Sequence, residues 1–142
     1  MGSITEFKGE YLFLSNFYLS EVEYNGLFFQ NAEAAFQSSK IKSKNIRKKF
    51  SKMNPIQAKL VGEKIETTTE NWEELKFDIM EKICYNKFTS NKVLKNKLLE
   101  TKNKELINNN TRGDTIWGIS NGVGENYLGK ILMKIREELK GG

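Results

Sequence analysis

The sequence has no histidine, one cysteine (Cys84) and one proline (Pro55). Without an imidazole neither a Ser-His-Asp triad nor a Cys-His dyad can be built, and a zinc site on His and Cys spacing is excluded. No metal and no cofactor is therefore expected. A lone cysteine cannot close an internal disulfide. One proline among 11 glycines rules out a collagen-like or proline-rich disordered chain. No run of ~18 apolar residues occurs, so no membrane span is expected. The opening stretch, Met1 to Lys8, is short and polar rather than signal-like, which predicts a cytoplasmic setting. Any catalysis must come from carboxylates, lysine, tyrosine, hydroxyls or backbone groups.

What is present suffices for one core. The 142 residues, 38% hydrophobic and 11% aromatic, predict a single domain over 1–142. The net charge of +5, from 23 basic and 18 acidic residues, is mildly basic but unevenly spread. Lys40 to Lys52 carries seven basic residues (Lys40, Lys42, Lys44, Arg47, Lys48, Lys49, Lys52) and no acid. Glu63 to Glu81 reverses the sign. A basic block of this kind either attracts phosphates and nucleic acid or forms a solvated helix face.

Strand signals open the chain. Tyr11-Leu12-Phe13-Leu14 reads as a buried strand, and Val22 and Tyr24 lead through Asn25-Gly26 to Leu27-Phe28-Phe29, the pattern of a type I′ hairpin. Helices follow. Asn31 caps one from Ala32, and Asn54-Pro55 starts a short one that Gly62 is placed to end. Asn71 with Glu74 resembles a capping box, opening a helix whose stripe is Trp72, Leu75, Ile79 and Ile83. A helix after Asn91 carries Val93, Leu94, Leu98 and Leu99. Asn108 to Asp114 is a loop, and a last helix presents Leu128, Ile131, Leu132, Ile135 and Leu139. The fold class is α+β, a small antiparallel sheet packed with several helices.

Three features could carry chemistry. Glu33 lies among alanines and an aromatic, where desolvation would suit a carboxylate to proton transfer; equally, it complements the helix dipole. Asp114 either steadies its loop or points into a pocket beside Trp117. The glycines at 118, 122, 124 and 129 precede a helix whose N-terminal N–H groups could meet phosphate, or they serve tight turns and close packing. Their spacing matches neither a dinucleotide fingerprint nor a P-loop.

Four segments taken in order, Phe7-Lys-Gly-Glu-Tyr-Leu-Phe-Leu-Ser-Asn-Phe-Tyr18, Asn31-Ala-Glu-Ala-Ala-Phe-Gln-Ser-Ser-Lys40, Gly113-Asp-Thr-Ile-Trp-Gly118 and Gly124-Glu-Asn-Tyr-Leu-Gly-Lys-Ile-Leu-Met133, resemble the motifs of the NADAR superfamily, the YbiA-like domains. The resemblance implies an N-glycosidase that cleaves the ribose C1′–N bond of a phosphorylated ribosyl compound. Its described substrates are early riboflavin-pathway intermediates and ADP-ribosylated guanine in nucleic acid. It implies Glu33 and Asp114 as catalytic carboxylates, with Asn16, Phe17, Gln37, Lys40, Trp72, Arg112, Trp117, Gly118 and Asn126 around the ligand. The partners implied are an ADP-ribose-like or ribosyl-phosphate small molecule and ADP-ribosylated nucleic acid. The chain departs from the family pattern at Ala34, Asn108 and Arg112, where histidine, glutamate and tryptophan stand. Asn108 keeps open a non-catalytic module that binds ADP-ribose or a nucleotide; the Lys40 to Lys52 block keeps open plain nucleic-acid binding.

Overall fold

A computed structural model describes residues 2–141. Its strands are β1 (Ser3–Ile4), β2 (Leu19–Tyr24), β3 (Leu27–Asn31), β4 (Glu105–Leu106), β5 (Asn109–Asn110) and β6 (Ile119–Ser120). Its α-helices are α1 (Ala32–Ser38), α2 (Lys44–Lys49), α3 (Pro55–Lys64), α4 (Trp72–Thr89), α5 (Lys92–Glu100) and α6 (Tyr127–Lys140). The chain divides into two compact units, Asn16–Ser90 and the pairing of Met1–Ser15 with Asn91–Gly142. The class is α+β, as the pattern predicts.

In the continuous unit, Asn25 and Gly26 take φ of 53° and 83°, the left-handed pair that a type I′ turn requires. The hairpin β2–β3 follows, with Val22 opposite Phe29 and both fully buried. The chain runs from β3 directly into α1, where the Asn31 side chain accepts from the Ala34 N–H at 2.8 Å and donates to the Met53 carbonyl at 3.0 Å. One asparagine thus caps the helix and ties it to the segment before α3. Small residues let α1 sink inward: Ala32, Ala34, Ala35, Phe36, Gln37 and Ser38 are buried, and Glu33 is the one residue of α1 that is not. At α3 the capping box forms as Asn54 and Gln57, with Pro55 in the first turn.

The unit made from the chain ends holds two short parallel pairs, β1–β4 and β5–β6. The antiparallel sheet of the sequence pattern is therefore the hairpin alone. Strands of two residues are too short to show a period-2 pattern. Helix α6 buries the expected stripe of Leu128, Ile131, Leu132, Ile135 and Leu139. Each such side chain contributes roughly 1.5–3 kcal/mol by leaving water.

Four local expectations fail for identifiable reasons. Residues Gly9–Leu14 form a 3-10 helix, not a strand; Gly9 turns in at φ 57°, and the backbone bonds locally at i, i+3, with Tyr11 N–H donating to the Lys8 carbonyl and Ser15 N–H to that of Leu12, both at 2.9 Å. Asn71 is left-handed at φ 56° and its side chain makes no cap bond, so Glu74 N–H donates to the Asn71 backbone carbonyl and no capping box forms. The buried face of α4 is Trp72, Met80, Ile83, Cys84, Lys87 and Phe88, while Leu75 is 44% exposed and Ile79 only half-buried. Gly62 lies inside α3, which continues to Lys64.

Lys87 stands out on that face. Its Nζ lies 5.7 Å from the Tyr18 ring centroid and 5.1 Å from that of Phe88. Burial pulls its ammonium down to about 8 and pushes the neighbouring Cys84 thiol up to about 12. Above about pH 8 the folded chain releases this lysine proton while the unfolded chain keeps it to its ordinary 10.5, so this contribution to stability rises with pH across that window. Urea melts at pH 8 and pH 10 are expected to show the wild type gaining about 1–3 kcal/mol relative to Lys87→Met. Cys84 opposes the trend above its ordinary value in both proteins and cancels. A constant difference between the two proteins would mean that Lys87 titrates normally.

Candidate active site

Helix α1 presents Glu33 from its first turn, where a carboxylate is favoured by the helix dipole. The backbone N–H of Glu33 donates to the Asn16 carbonyl at 3.1 Å, fixing where the turn begins. Its Oε2 accepts from Gln37 Nε2 at 2.7 Å, the i, i+4 spacing of a single helix face. Gln37 is itself buried and lies against Gly62 of α3: a Cβ at Gly62 would stand 2.0 Å from Gln37 Oε1 and 2.4 Å from its Cδ. The missing side chain at 62 is what makes room for the amide that holds Glu33.

Lys40 lies past the end of α1, where the last turn tightens and its N–H donates to the Gln37 carbonyl at 3.2 Å. Its ammonium donates to the Gly62 carbonyl at 3.0 Å and sits 5.2 Å from the Trp72 ring centroid. Lys76 lies 5.6 Å from the same ring and pairs with Glu73 at 2.6 Å. Burial lowers the Lys40 pKa, an effect that Glu33, Glu63 and Glu73 partly oppose. Trp72 is 7% exposed; its Nε1 donates to Ser39 Oγ at 3.0 Å and its ring meets Phe36 at 5.4 Å. It is a buried ring with one lysine near the carboxylate's helix and one from its own helix beside it. A positioned carboxylate, a partly desolvated amine and a buried aromatic ring form a set suited to proton transfer and to stabilising positive charge on a ligand.

Asn16 belongs to the same unit but is occupied: its Nδ2 donates to Met80 Sδ at 3.3 Å and Cys84 Sγ donates to its Oδ1 at 4.0 Å. Its side chain anchors the loop to α4. Phe17 is half-buried beside it in sequence. Within this unit the structure joins Glu33, Gln37, Lys40 and Trp72 through shared partners.

The other unit holds Arg112, Asp114, Trp117, Gly118 and Asn126, ordered by asparagine side chains. Asn110 Oδ1 accepts from the N–H groups of Arg112 and Asp114 at 3.2 and 3.0 Å, while its Nδ2 donates to the Asp114 and Ile119 carbonyls at 2.9 and 3.3 Å. Asp114 Oδ1 accepts from the N–H groups of Ile116 and Trp117 at 3.1 and 3.0 Å, an aspartate turn that sets the tryptophan. Its Oδ2 is 4.0 Å from Arg112 Nη2. Trp117 meets Tyr127 edge-on at 6.4 Å.

Gly118 and Asn126 serve packing. A Cβ at Gly118 would stand 2.2 Å from the Asn108 carbonyl, and one at Gly129 would stand 2.1 Å from that of Leu106. Asn126 spends its amide inside, accepting from Asn108 N–H at 2.9 Å and donating to the Leu106 carbonyl at 3.0 Å. Tyr127 and Leu128 N–H donate to the carbonyls of Ile116 and Trp117 at 3.1 and 3.0 Å, so these leading N–H groups of α6 are not free for phosphate. Among the departures, Ala34 is fully buried and Asn108 is 8% exposed, its Nδ2 donating to the Trp117 carbonyl at 3.4 Å. Sequence reading missed Gly62, Ser39 and Asn110 as organisers; a glycine inside a helix was the one signal available for the first.

No group of three or more His, Cys, Asp or Glu that could hold a metal ion occurs among the described residues, and no helix there is long and apolar enough to cross a membrane. The model of the NADAR domain matches residues 5–140. N-glycosidase YbiA of Escherichia coli is 29% identical over 128 residues, covering 88% of this chain and 79% of that protein. A riboflavin biosynthesis protein of Vibrio vulnificus is 31% identical over 131 residues, 90% of this chain but 35% of its own length. Among solved structures, the NMR structure of the E. coli protein YbiA matches with a TM-score of 0.85 at 28% identity, over 97% of this chain and 83% of that one.

The packing at Gly62 makes a direct forecast. Gly62→Ala is expected to cost about 1–3 kcal/mol by displacing Gln37, and to cost less than half as much in a Gln37→Ala background, where the space is free. Thermal melts of the two single variants and the double variant measure the coupling. Equal costs in both backgrounds would show that Gln37 is not what Gly62 accommodates.

Proposed function

The chain belongs to the NADAR domain family, and on that premise we propose that it is an N-glycosidase that hydrolyses the ribose C1′–N bond of a phosphorylated ribosyl compound. The observation that carries this reading is Glu33, fixed by Gln37 on a buried helix with Lys40 and Trp72 in the same unit. Relatives named as an N-glycosidase and as a riboflavin biosynthesis protein support the bond type. The substrates proposed are ADP-ribosylated guanine in nucleic acid and early riboflavin-pathway intermediates.

The reaction breaks C1′–N, adds water oxygen to C1′ and leaves the departing nitrogen protonated. Positive charge grows on C1′ and the ring oxygen as the bond stretches, so a carboxylate in place beforehand lowers the barrier. Glu33 fills that role. Its amide donor Gln37 restrains the carboxylate without neutralising it. Lys40 uses one N–H on the Gly62 carbonyl and has others for a phosphate oxygen. Asp114 is the second candidate carboxylate, with one oxygen committed to its turn.

Product analysis by HPLC across ribosyl substrates is expected to show turnover by wild type and a loss of about 100-fold or more in Glu33→Gln, with the fold intact. Near-normal turnover by folded Glu33→Gln would remove Glu33 from the chemistry. Saturable binding with no turnover of any substrate would make the chain a binding module. Asp114→Asn distinguishes catalysis from loop order: a drop in turnover with an unchanged melting temperature marks a catalytic group, whereas a lowered melting temperature with normal turnover marks a turn residue.

Phosphate recognition is measured separately. Lys40→Ala should weaken ADP-ribose by roughly 1–3 kcal/mol and unphosphorylated ribosides far less, whereas Lys48→Ala, on the exposed face of α2, should change neither. Equal small effects at both positions would exclude Lys40 from phosphate binding.

A further inference from the structure

Helix α1 ends just before the lysine that the proposed chemistry uses. Its last turn tightens to i, i+3 bonds at Ser39, Lys40 and Ile41, and the Ser39 and Lys40 carbonyls lie beyond that turn. They take their donors from the segment between α3 and α4. Thr69 Oγ1 donates to the Ser39 carbonyl at 2.8 Å, and the N–H groups of Thr68 and Thr69 both donate to the Lys40 carbonyl, at 2.8 and 3.0 Å. Thr68 Oγ1 accepts from Lys42 N–H at 2.9 Å. Two adjacent threonines thus hold the backbone on both sides of Lys40.

A second set of contacts starts at the same place. The buried Ser39 hydroxyl donates to the Phe36 carbonyl and accepts the Trp72 indole N–H at 3.0 Å, so the residue whose carbonyl Thr69 holds also holds the ring beside Lys40. At its far end the Lys40 ammonium donates to the Gly62 carbonyl. A lysine side chain is a flexible four-carbon stem, and its ammonium has a defined place only where both ends are fixed. Gly62 fixes one end and the threonines fix the other. No helix or strand intervenes between Lys64 and Trp72, so no periodic pattern dictates these residue types. A connection that only joined α3 to α4 has no need of a hydroxyl on the carbonyl that precedes Lys40.

We propose that Thr69 is a positioning residue for substrate: through the Ser39 carbonyl its hydroxyl sets the Lys40 ammonium in the place where it meets phosphate. The proposal rests on the reading that Lys40 binds that phosphate. Thr69 acts through Lys40, which is ordered before the ligand arrives and so loses less side-chain freedom on binding. The Trp72 indole N–H reports the same arrangement through Ser39.

The test is a double-mutant cycle on the full chain, read by titration with ADP-ribose and by the NMR signal of the Trp72 indole N–H. Thr69→Val keeps the shape and both backbone bonds and removes the hydroxyl alone. It should weaken ADP-ribose about threefold or more, and Thr69→Ser should restore the affinity. In a Lys40→Ala background Thr69→Val should cost less than about a further twofold, a coupling that a general loss of stability would not produce. The indole signal should move in Thr69→Val and return in Thr69→Ser. Should Thr69→Val not fold, Thr69→Ala takes its place with the same expectations. Equal losses in both backgrounds, an unmoved indole signal, or wild-type affinity in Thr69→Val while Lys40→Ala is weakened would overturn the positioning role and leave phosphate binding by Lys40 standing. ADP-ribose binding that Lys40→Ala does not impair, or no saturable binding by wild type, would overturn that reading and this proposal with it.

Discussion

The hydrogen bond from Gln37 to Glu33 depends on an atom that is absent. A side chain at Gly62 would displace the Gln37 amide from the place where it holds Glu33, and the carbonyl of the same glycine receives the Lys40 ammonium. One residue of α3 therefore sets the position of two polar groups on and beyond α1. Helix α1 can lie that close because its buried residues are mostly alanine and serine, so backbone approaches backbone. Larger side chains on α1 would stabilise more by burial and would push the carboxylate's support away.

The unit built from the chain ends reaches order by a different route. Asn108, Asn110 and Asn126 put their amides on backbone donors and acceptors of segments distant in sequence. Glycines at 118 and 129 let those segments touch. Such a polar interior is stable because each amide is paired; one unpaired buried partner would cost about 1–3 kcal/mol. It also explains why Asp114 and Trp117 occupy defined positions in a stretch with almost no regular structure.

Charge is arranged with similar economy. The basic block does not act as one surface. Lys40 turns inward to Gly62 and Trp72, Arg47 and Lys42 line a cleft, and Lys48 and Lys49 remain in solvent. A run of like charges in sequence becomes three environments because helix and turn geometry send neighbours in different directions.

The amino-acid sequence determined the elements whose signals are local: the Asn25-Gly26 hairpin, the Asn31 and Asn54 helix starts and the apolar stripe of α6. Each depends on backbone preference or on periodicity within a few turns, and survives whatever packs against it. It also carried Glu33, Gln37, Lys40 and Trp72, through ordered motifs that resemble a family. Tertiary structure alone decided the rest. It turned Gly62 from a helix end into a socket, gave Asn126 and Gly118 their packing partners, and rotated α4 so that Leu75 and Ile79 left its core face. These outcomes depend on which atoms from distant segments compete for the same volume and the same hydrogen bonds, and that competition has no local signature in the chain.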